Sequence, residues 1–205
     1  MPSESHSPKT LSHRPTRFPS ILGSPPRPIR IRVGRGFPFF PFCRIINSMK
    51  EFVVVLHNIR SLHNVGSIFR TADAAGINKL YLCGITPTPL NVFGRPEEKL
   101  AKVALGAEKY IPWKKARSTA KIIDTLKKEG FTILALEQSK DSIPYGKYKP
   151  KKTEHVALVL GNEVKGLPAG ILKKCNKILE IPMRGRKESL NVSVAFGIVT
   201  FELLK

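Results

Sequence analysis

After Met49 the sequence alternates between short apolar runs and stretches with helical periodicity, and this alternation restricts the possible folds. Runs such as FVVVL (52–56) and VALVLG (156–161) are continuously apolar and rich in β-branched residues. Strands of this kind are buried on both faces, which is typical of a parallel sheet covered by helices on each side. The pattern therefore predicts an α/β domain, a parallel sheet flanked by helices, over residues 49–205.

The other predicted elements continue this alternation along the chain. Further strands are expected at 79–83, 131–137 and 178–182, and helices at about 65–76, 97–106, 115–129, 167–174 and 190–204. The chain has no G-x-G-x-x-G after a strand, no Walker A lysine loop and no G-x-S-x-G elbow. These absences disfavour a standard dinucleotide fold, a P-loop NTPase and an α/β-hydrolase.

Residues 1–48 differ from the rest of the chain, because they hold 9 of the 17 prolines, 8 basic residues and a single acid, Glu4. Such a segment cannot bury enough apolar surface to order itself. Three interpretations compete: a disordered basic tail that touches RNA, a targeting peptide, or upstream sequence added by a wrong start choice. We favour the third, since Met49 opens directly onto the strand KEFVVVL.

The charge of the chain is the first indication of a partner. Lys and Arg total 35 against 15 acidic residues, a net of +20. Without residues 1–48 the chain still has 27 basic and 14 acidic residues, a net of +13. A polyanion is the natural partner, and nucleic acid is the commonest one. The alternative is a solvated basic surface without a partner.

The three cysteines, Cys43, Cys83 and Cys175, are scattered and form no C-x-x-C pair. They predict reduced thiols in a cytoplasmic compartment and no zinc site, with Cys83 buried on a strand. No apolar run approaches the length of about 18 residues that a membrane-spanning helix needs.

The helix predicted at 65–76 has a polar face, and the role of Arg70 on that face has two possible explanations. On a helical wheel the apolar residues fall on one face, namely Val65, Ile68, Phe69, Ala72 and Gly76. Arg70 falls on the opposite side, and Asn64 stands at the expected N-cap. Arg70 is then either a solvated helix residue or a guanidinium that grips a phosphate or ribose. The helix alone does not decide between them.

Two later segments place polar residues after buried strands. In ALVLGNEVKGL (157–167), Asn162 and Glu163 follow a strand at the edge where open α/β sheets bind ligands. In the segment 178–205, a basic loop precedes a final helix that Ser189 or Asn191 can cap and that is apolar nearly all round. One sheet can cover one side of such a helix only, so we expect a second subunit to cover the other.

Three stretches resemble the signature motifs of the SpoU–TrmH family of RNA 2′-O-methyltransferases, which belongs to the knotted SPOUT superfamily. They are NVGSIFRTADAAG (64–76), LVLGNEVKGL (158–167) and IPMRGRKESLNVSVAFGI (181–198). Their order and spacing match, and the resemblance covers essentially all of residues 49–205. It implies an α/β fold with a C-terminal deep trefoil knot, a homodimer with the active site at the interface, and methyl transfer from S-adenosylmethionine (SAM) to a ribose 2′-hydroxyl of tRNA or rRNA.

The resemblance also assigns roles to individual residues, and from the cysteine and histidine spacing no metal site is expected. The matching cofactor positions are Leu136, Gly161, Asn162, Glu163, Ile181, Met183 and Leu190. The matching catalytic set is Asn64, Arg70, Glu163, Ser189 and Asn191. Phosphate contacts are expected from Arg70 and from the loop cations Arg184, Arg186 and Lys187.

Three rival interpretations remain open at this point. The first is a catalytically silent RNA-binding or ribosome-assembly protein of this fold, whose mark would be loss of Asn64, Arg70 or Glu163; all three are present. The second is a flavodoxin-like small-molecule binder, which predicts an unknotted monomer that binds no SAM. The third is a methyltransferase for protein or small molecules, which the basic charge disfavours.

Overall fold

The computed structural model describes residues 51–205, which form an α/β domain around one parallel sheet. The strands of this region are β1 (Phe52–His57), β2 (Lys79–Cys83), β3 (Trp113–Ala116), β4 (Thr132–Leu136), β5 (Ile143–Pro144), β6 (Val156–Leu160) and β7 (Lys177–Glu180). Its α-helices are α1 (Leu62–Ala74), α2 (Glu98–Ala104), α3 (Thr119–Lys128), α4 (Ala169–Leu172) and α5 (Val192–Leu203). Short 3-10 helices lie at Ala107–Lys109 and Tyr145–Lys147. The predicted α/β fold, a parallel sheet flanked by helices, is confirmed.

The strand order in the sheet is β3-β2-β1-β6-β4-β7-β5, and every neighbouring pair is parallel. In register, Val54 of β1 pairs with Leu80 of β2 and with Leu158 of β6. The carboxyl ends of β4, β6 and β7 therefore lie side by side at one edge, which we call the carboxyl edge.

Alternate residues of each central strand feed two hydrophobic cores, one on each face of the sheet. Phe52 and Leu56 of β1 face the core built with α1, α2 and α5, where Phe69 and Phe196 are fully buried. Val55 faces the core built with α3 and α4. Burial on both faces explains why these strands are continuously apolar.

Helix α1 begins earlier than predicted, and the prediction that Asn64 is its N-cap is wrong. Ser61 is the N-cap, and its Oγ accepts a hydrogen bond of 3.3 Å from the Asn64 backbone N–H. The helix ends at Ala74, and Gly76 is an exposed residue with a φ of 68° rather than part of the buried face. The Asn64 side chain is thereby free of a capping role.

The prediction of a helix at 115–129 is wrong for its first residues, which are not helical. Residues 113–116 form the edge strand β3, and the helix starts only after its N-cap, Ser118. The short strand β5 was not predicted at all. By contrast, the final helix α5 has Asn191 as its N-cap, one of the two caps that the sequence offered.

The cysteine and membrane predictions fall partly within the described region. Cys83 is buried on β2 as predicted, and Cys175 is half-buried, whereas Cys43 lies outside the described residues. The predictions for residues 1–48 lie outside them too. None of the helices described here is long and apolar enough to cross a membrane.

Candidate active site

A cavity of about 530 Å³ opens at the carboxyl edge, where β4, β6 and β7 end. The ends of β4 and β6 supply Leu136 and Leu160, and the segment after β7 supplies Ile181 and Met183. The other lining residues are Asn64, Glu137, Gln138, Gly161, Asn162, Glu163, Val164, Gly166, Glu180, Ser189, Leu190, Asn191, Val192 and Ala195. All three sequence motifs thus contribute to one cavity.

The carboxylate of Glu163 holds the loop after β6 against the start of α1. Its oxygens accept backbone hydrogen bonds from Arg60 (3.0 Å) and Ser61 (3.1 Å) and a side-chain bond from Asn64 Nδ2 (2.9 Å). Partial burial alone would raise the pKa of Glu163, but these donors outweigh it and hold the pKa below its usual range. Glu163 is therefore ionised at neutral pH and committed to this contact.

Asn64 connects that contact to the third motif. Its Oδ1 accepts a hydrogen bond of 3.0 Å from Asn191 Nδ2, while its own amide N–H donates to Glu163. Asn191 Oδ1 in turn accepts from the backbone N–H (2.9 Å) and the hydroxyl (2.7 Å) of Ser193. This polar network, Glu163–Asn64–Asn191, joins segments that are far apart in sequence and fixes their orientation at the cavity rim.

The loop after β6 is folded so tightly that two of its positions have no room for a side chain and require glycine. A Cβ on Gly161 would lie 2.7 Å from the Gly166 carbonyl carbon and 2.8 Å from the Leu167 nitrogen. Gly166 has a φ of 61°, a left-handed conformation that favours glycine. Asn162 closes the loop, since its Nδ2 donates to the Asn58 carbonyl (2.7 Å) and its Oδ1 accepts from the Lys165 N–H (2.9 Å).

The cavity is acidic although the domain is basic. Among the residues that line it, Glu137, Glu163 and Glu180 are acidic, and there is no Lys or Arg. Glu137 accepts from the Leu167 N–H (2.7 Å), and Glu180 accepts from the Ser142 hydroxyl (2.6 Å). Such a lining favours a ligand that carries positive charge.

The structure brings most of the predicted site residues together. All seven predicted cofactor positions line the cavity, as do Asn64, Ser189 and Asn191 of the predicted catalytic set. Arg184, Arg186 and Lys187 are exposed in the loop that carries Ser189. The roles of these residues stay predictions, and only their positions are observed.

Arg70 is the exception among the predicted site residues. It is exposed on α1 and does not line the cavity of its own chain. It lies six positions after Asn64, which places it about 9 Å further along the helix axis. Arg70 is therefore not part of the cavity that its own chain forms.

Sequence reasoning missed Glu137, Gln138 and Glu180 as cavity residues. The signal was available, because Glu137 directly follows β4 and Glu180 is the last residue of β7, both at the carboxyl edge. Gln138 Nε2 also donates to the Glu188 carbonyl (2.8 Å), which ties the end of β4 to the basic loop. That contact had no sequence signal, since it joins residues 50 positions apart.

Comparison with known proteins gives one consistent result. The sequence model of the SpoU rRNA methylase family matches residues 51–201. The 23S rRNA (guanosine-2′-O-)-methyltransferase RlmB of Yersinia pestis is 30% identical over 177 residues, which cover 86% of this chain and 68% of that protein.

Two solved structures have the same fold. The SAM-bound rRNA methyltransferase from Sinorhizobium meliloti superposes with a TM-score of 0.67 at 32% identity, covering 75% of this chain and 56% of that one. The TrmH/SpoU tRNA-modifying enzyme of A. aeolicus superposes with a TM-score of 0.66 at 29% identity, covering 78% of this chain and 77% of that one. The chain therefore spans about half the length of the first structure and most of the second.

Proposed function

Because this chain belongs to the SpoU rRNA methylase family, we propose that it transfers the methyl group of SAM to a ribose 2′-hydroxyl of RNA. The observation that carries the proposal is the polar network Glu163–Asn64–Asn191, which joins the three motifs at one acidic, glycine-lined cavity. The substrate class is tRNA or rRNA, since relatives named for each are similar to this chain. The proposed compartment is the cytoplasm.

The residues that line the cavity suit SAM chemically. Gly161 and Gly166 lie in its lining, and Leu136, Ile181 and Leu190 offer apolar surface for an adenine. Three glutamates suit the positive sulfonium. When bound, SAM supplies an electrophilic methyl group on sulfur; the protein's part is to orient the 2′-oxygen and to accommodate its developing charge.

Among the residues of this chain, we assign the orienting role to the polar network and Arg70. Glu163 is a positioning residue, because its oxygens are committed to Arg60, Ser61 and Asn64. Arg70 is unsuited to act as a base, since a guanidinium stays protonated in proteins and can only donate hydrogen bonds. Its fixed charge can instead hold the 2′-hydroxyl and stabilise the developing alkoxide, while the proton passes to a phosphate or to water.

We further propose a homodimer in which Arg70 of one subunit completes the cavity of the other. Helix α5 leaves an apolar stripe in solvent at i, i+4 and i+7: Val194 is 50% exposed, Ile198 38% and Phe201 49%. A stripe of this kind is typical of an interface between subunits. It accounts for a catalytic arginine that lies outside its own chain's cavity.

The C-terminal knot is also part of the proposal. The loop between β4 and β6 (137–155) would surround the segment that follows β7. Two hydrogen bonds support this path, from Gln138 Nε2 to the Glu188 carbonyl (2.8 Å) and from Ser142 Oγ to Glu180 (2.6 Å). Knots are rare exceptions to the usual rules of chain connection, so the threading should be resolved in an experimental electron-density map.

The test is methyl transfer from labelled SAM to unmodified total RNA by the full-length protein, followed by nucleoside mass spectrometry. We expect a 2′-O-methylated nucleoside. Arg70→Ala should lower its formation by about 100-fold or more, as removal of a transition-state donor does, and should leave SAM affinity unchanged.

The matched control is Lys128→Ala, an exposed cation at the end of α3 away from the carboxyl edge. It should leave the rate unchanged. Labelled base rather than ribose, or full activity of Arg70→Ala, would contradict the proposed reaction or the role of Arg70. Absence of label from RNA despite SAM binding would contradict methyl transfer to RNA by this chain alone.

A further inference from the structure

A second surface at the carboxyl edge has no part in the cavity. Residues 90–96, which we call the 90–96 hairpin, form a tight turn closed by an antiparallel bridge between Leu90 and Pro96. Asn91 organises the turn, because its Oδ1 accepts from the Phe93 N–H (2.9 Å) and the Arg95 N–H (3.1 Å), and its own N–H donates to the Arg95 carbonyl (2.8 Å). The hairpin is therefore held in one defined conformation by its own hydrogen bonds.

The tip of this hairpin presents two apolar side chains to solvent. Val92 is 93% exposed and Phe93 is 83% exposed, with the exposed Arg95 two residues later. A large aromatic side chain that the fold leaves almost fully exposed stabilises nothing within the described domain. Its exposure at the tip of an organised turn points to an external partner.

The base of the hairpin is anchored to the core, so its tip has a defined position. Thr86 is fully buried, and its Oγ accepts from the Ile59 N–H (3.1 Å) and donates to the Cys83 carbonyl (2.8 Å). Lys115 Nζ donates to the Gly84 carbonyl (2.7 Å), and the Glu97 N–H donates to the Pro89 carbonyl (2.8 Å). These contacts hold both ends of the segment that carries the hairpin.

The hairpin lies at the same edge of the sheet as the cavity. It follows β2, and β2 is separated from β6 by β1 alone. With neighbouring strands about 4.8 Å apart, the ends of β2 and β6 are about 10 Å apart. An RNA strand that places one ribose at the cavity would carry its neighbouring nucleotides past the end of β2, where the segment with the hairpin begins.

We propose that Phe93, supported by Val92, is a stacking platform for an unpaired base of the RNA substrate, and that Arg95 contacts an adjacent phosphate. The inference rests on the proposed function and adds a determinant of substrate recognition to it. Exposed aromatics beside arginines bind single-stranded RNA in this way, since every base has a stacking face. The net charge of +13 for residues 49–205 favours RNA over an apolar protein partner.

The first experiment measures binding and does not depend on catalysis. A short single-stranded oligoribonucleotide with one 2-aminopurine is titrated with full-length wild type, Phe93→Ala and Phe93→Trp. Stacking should change 2-aminopurine fluorescence with wild type and with Phe93→Trp. Phe93→Ala should lose the change and bind about tenfold or more weakly, within the range for one base on an aromatic side chain.

Tyr110→Ala is the matched control, because Tyr110 is a 77% exposed aromatic that precedes β3, at the opposite edge of the sheet. It should bind like wild type. SAM affinity and elution from a sizing column should be the same for all variants. Equal RNA affinity of Phe93→Ala and wild type would overturn the proposal, and so would a change in oligomeric state, which would assign the hairpin to contact between subunits.

The second experiment uses methyl transfer to separate the two proposals. With a methylated RNA in hand, Phe93→Ala should raise the KM for RNA about tenfold and change kcat much less. If wild type transfers no methyl group to RNA, the proposed function fails, and the fluorescence titration still decides whether Phe93 stacks on bases. If wild type is active and Phe93→Ala has the same KM, the stacking platform alone is wrong.

Discussion

The amide of Asn64 has a single workable orientation in this site. Its Nδ2 must donate to Glu163, which accepts only, and its Oδ1 must accept from Asn191 Nδ2. Since Asn191 is also the N-cap of α5, the position of that helix is coupled to the loop after β6. One side chain thus links the orientation of three segments around the cavity.

Gly161 offers a direct test of how tightly that loop must fold. A Cβ at this position would lie 2.7–2.8 Å from backbone atoms of Gly166 and Leu167, which cannot move aside as a flexible side chain could. Gly161→Ala should therefore weaken SAM binding at least tenfold and lower the free energy of unfolding by about 1–3 kcal/mol, the usual cost of overpacking. Calorimetric titration with SAM and denaturant unfolding measure the two effects.

Gly170→Ala is the matched control, since a Cβ there would meet no atom within 4 Å. Its SAM affinity should equal that of wild type. An unchanged affinity in Gly161→Ala would mean that the loop can relax, and that the glycine is not required for cofactor binding.

The sequence predicted which residues line the cavity better than it predicted the hydrogen bonds between them. Gly161, Asn162 and Glu163 stand out because they follow a buried strand at a ligand-binding edge. The assignment of Asn64 as a cap was wrong because Ser61, three residues earlier, competes for that position and no sequence rule ranks the two. Its bond to Glu163, 99 residues away, depends on tertiary structure alone.

Strand β3 was missed because part of its sequence was included in the helix predicted at 115–129. The strand WKKA (113–116) is at the sheet edge, with Lys114 and Lys115 exposed. Lysines on edge strands discourage pairing with another chain, but they give no alternation of apolar and polar residues. The buried strands β1 and β6 were predicted closely, because their apolar runs leave few alternatives.

The exposed apolar stripe on α5 gives a test of the proposed homodimer. If its exposed stripe is the subunit interface, Phe201→Ser should shift the protein from dimer to monomer on a sizing column with multi-angle light scattering. Methyl transfer should be lost together with the dimer, because in the monomer no partner subunit supplies Arg70 to the cavity. Because Phe201 is 49% exposed, the monomer itself should lose little stability.

Tyr110→Ser, which also removes an exposed aromatic, controls for general loss of apolar surface. It should remain a dimer with full activity. A wild type that is monomeric and active would contradict the proposed homodimer, as would an active monomeric Phe201→Ser.

At the scale of the whole molecule, charge is divided between two surfaces with different tasks. Residues 49–205 carry a net charge of +13, yet the cavity is lined by three glutamates and no Lys or Arg. A basic exterior attracts RNA phosphates, whereas an acidic interior suits a sulfonium. The loop with Arg184, Arg186 and Lys187 joins the two, because it carries Ser189 at the cavity and exposes its cations to solvent.

This division predicts that salt affects the two ligands differently. RNA affinity should fall steeply as salt rises, because each neutralised phosphate releases counterions, whereas SAM affinity should change little. Replacing Arg184, Arg186 and Lys187 together by Ala should make the slope of log K against log salt shallower by about 2, if all three contact phosphates of single-stranded RNA. SAM affinity should be unchanged, since these side chains do not line the cavity. Filter binding across a salt series measures the slope, and a slope equal to that of wild type would place the RNA path elsewhere on the basic surface.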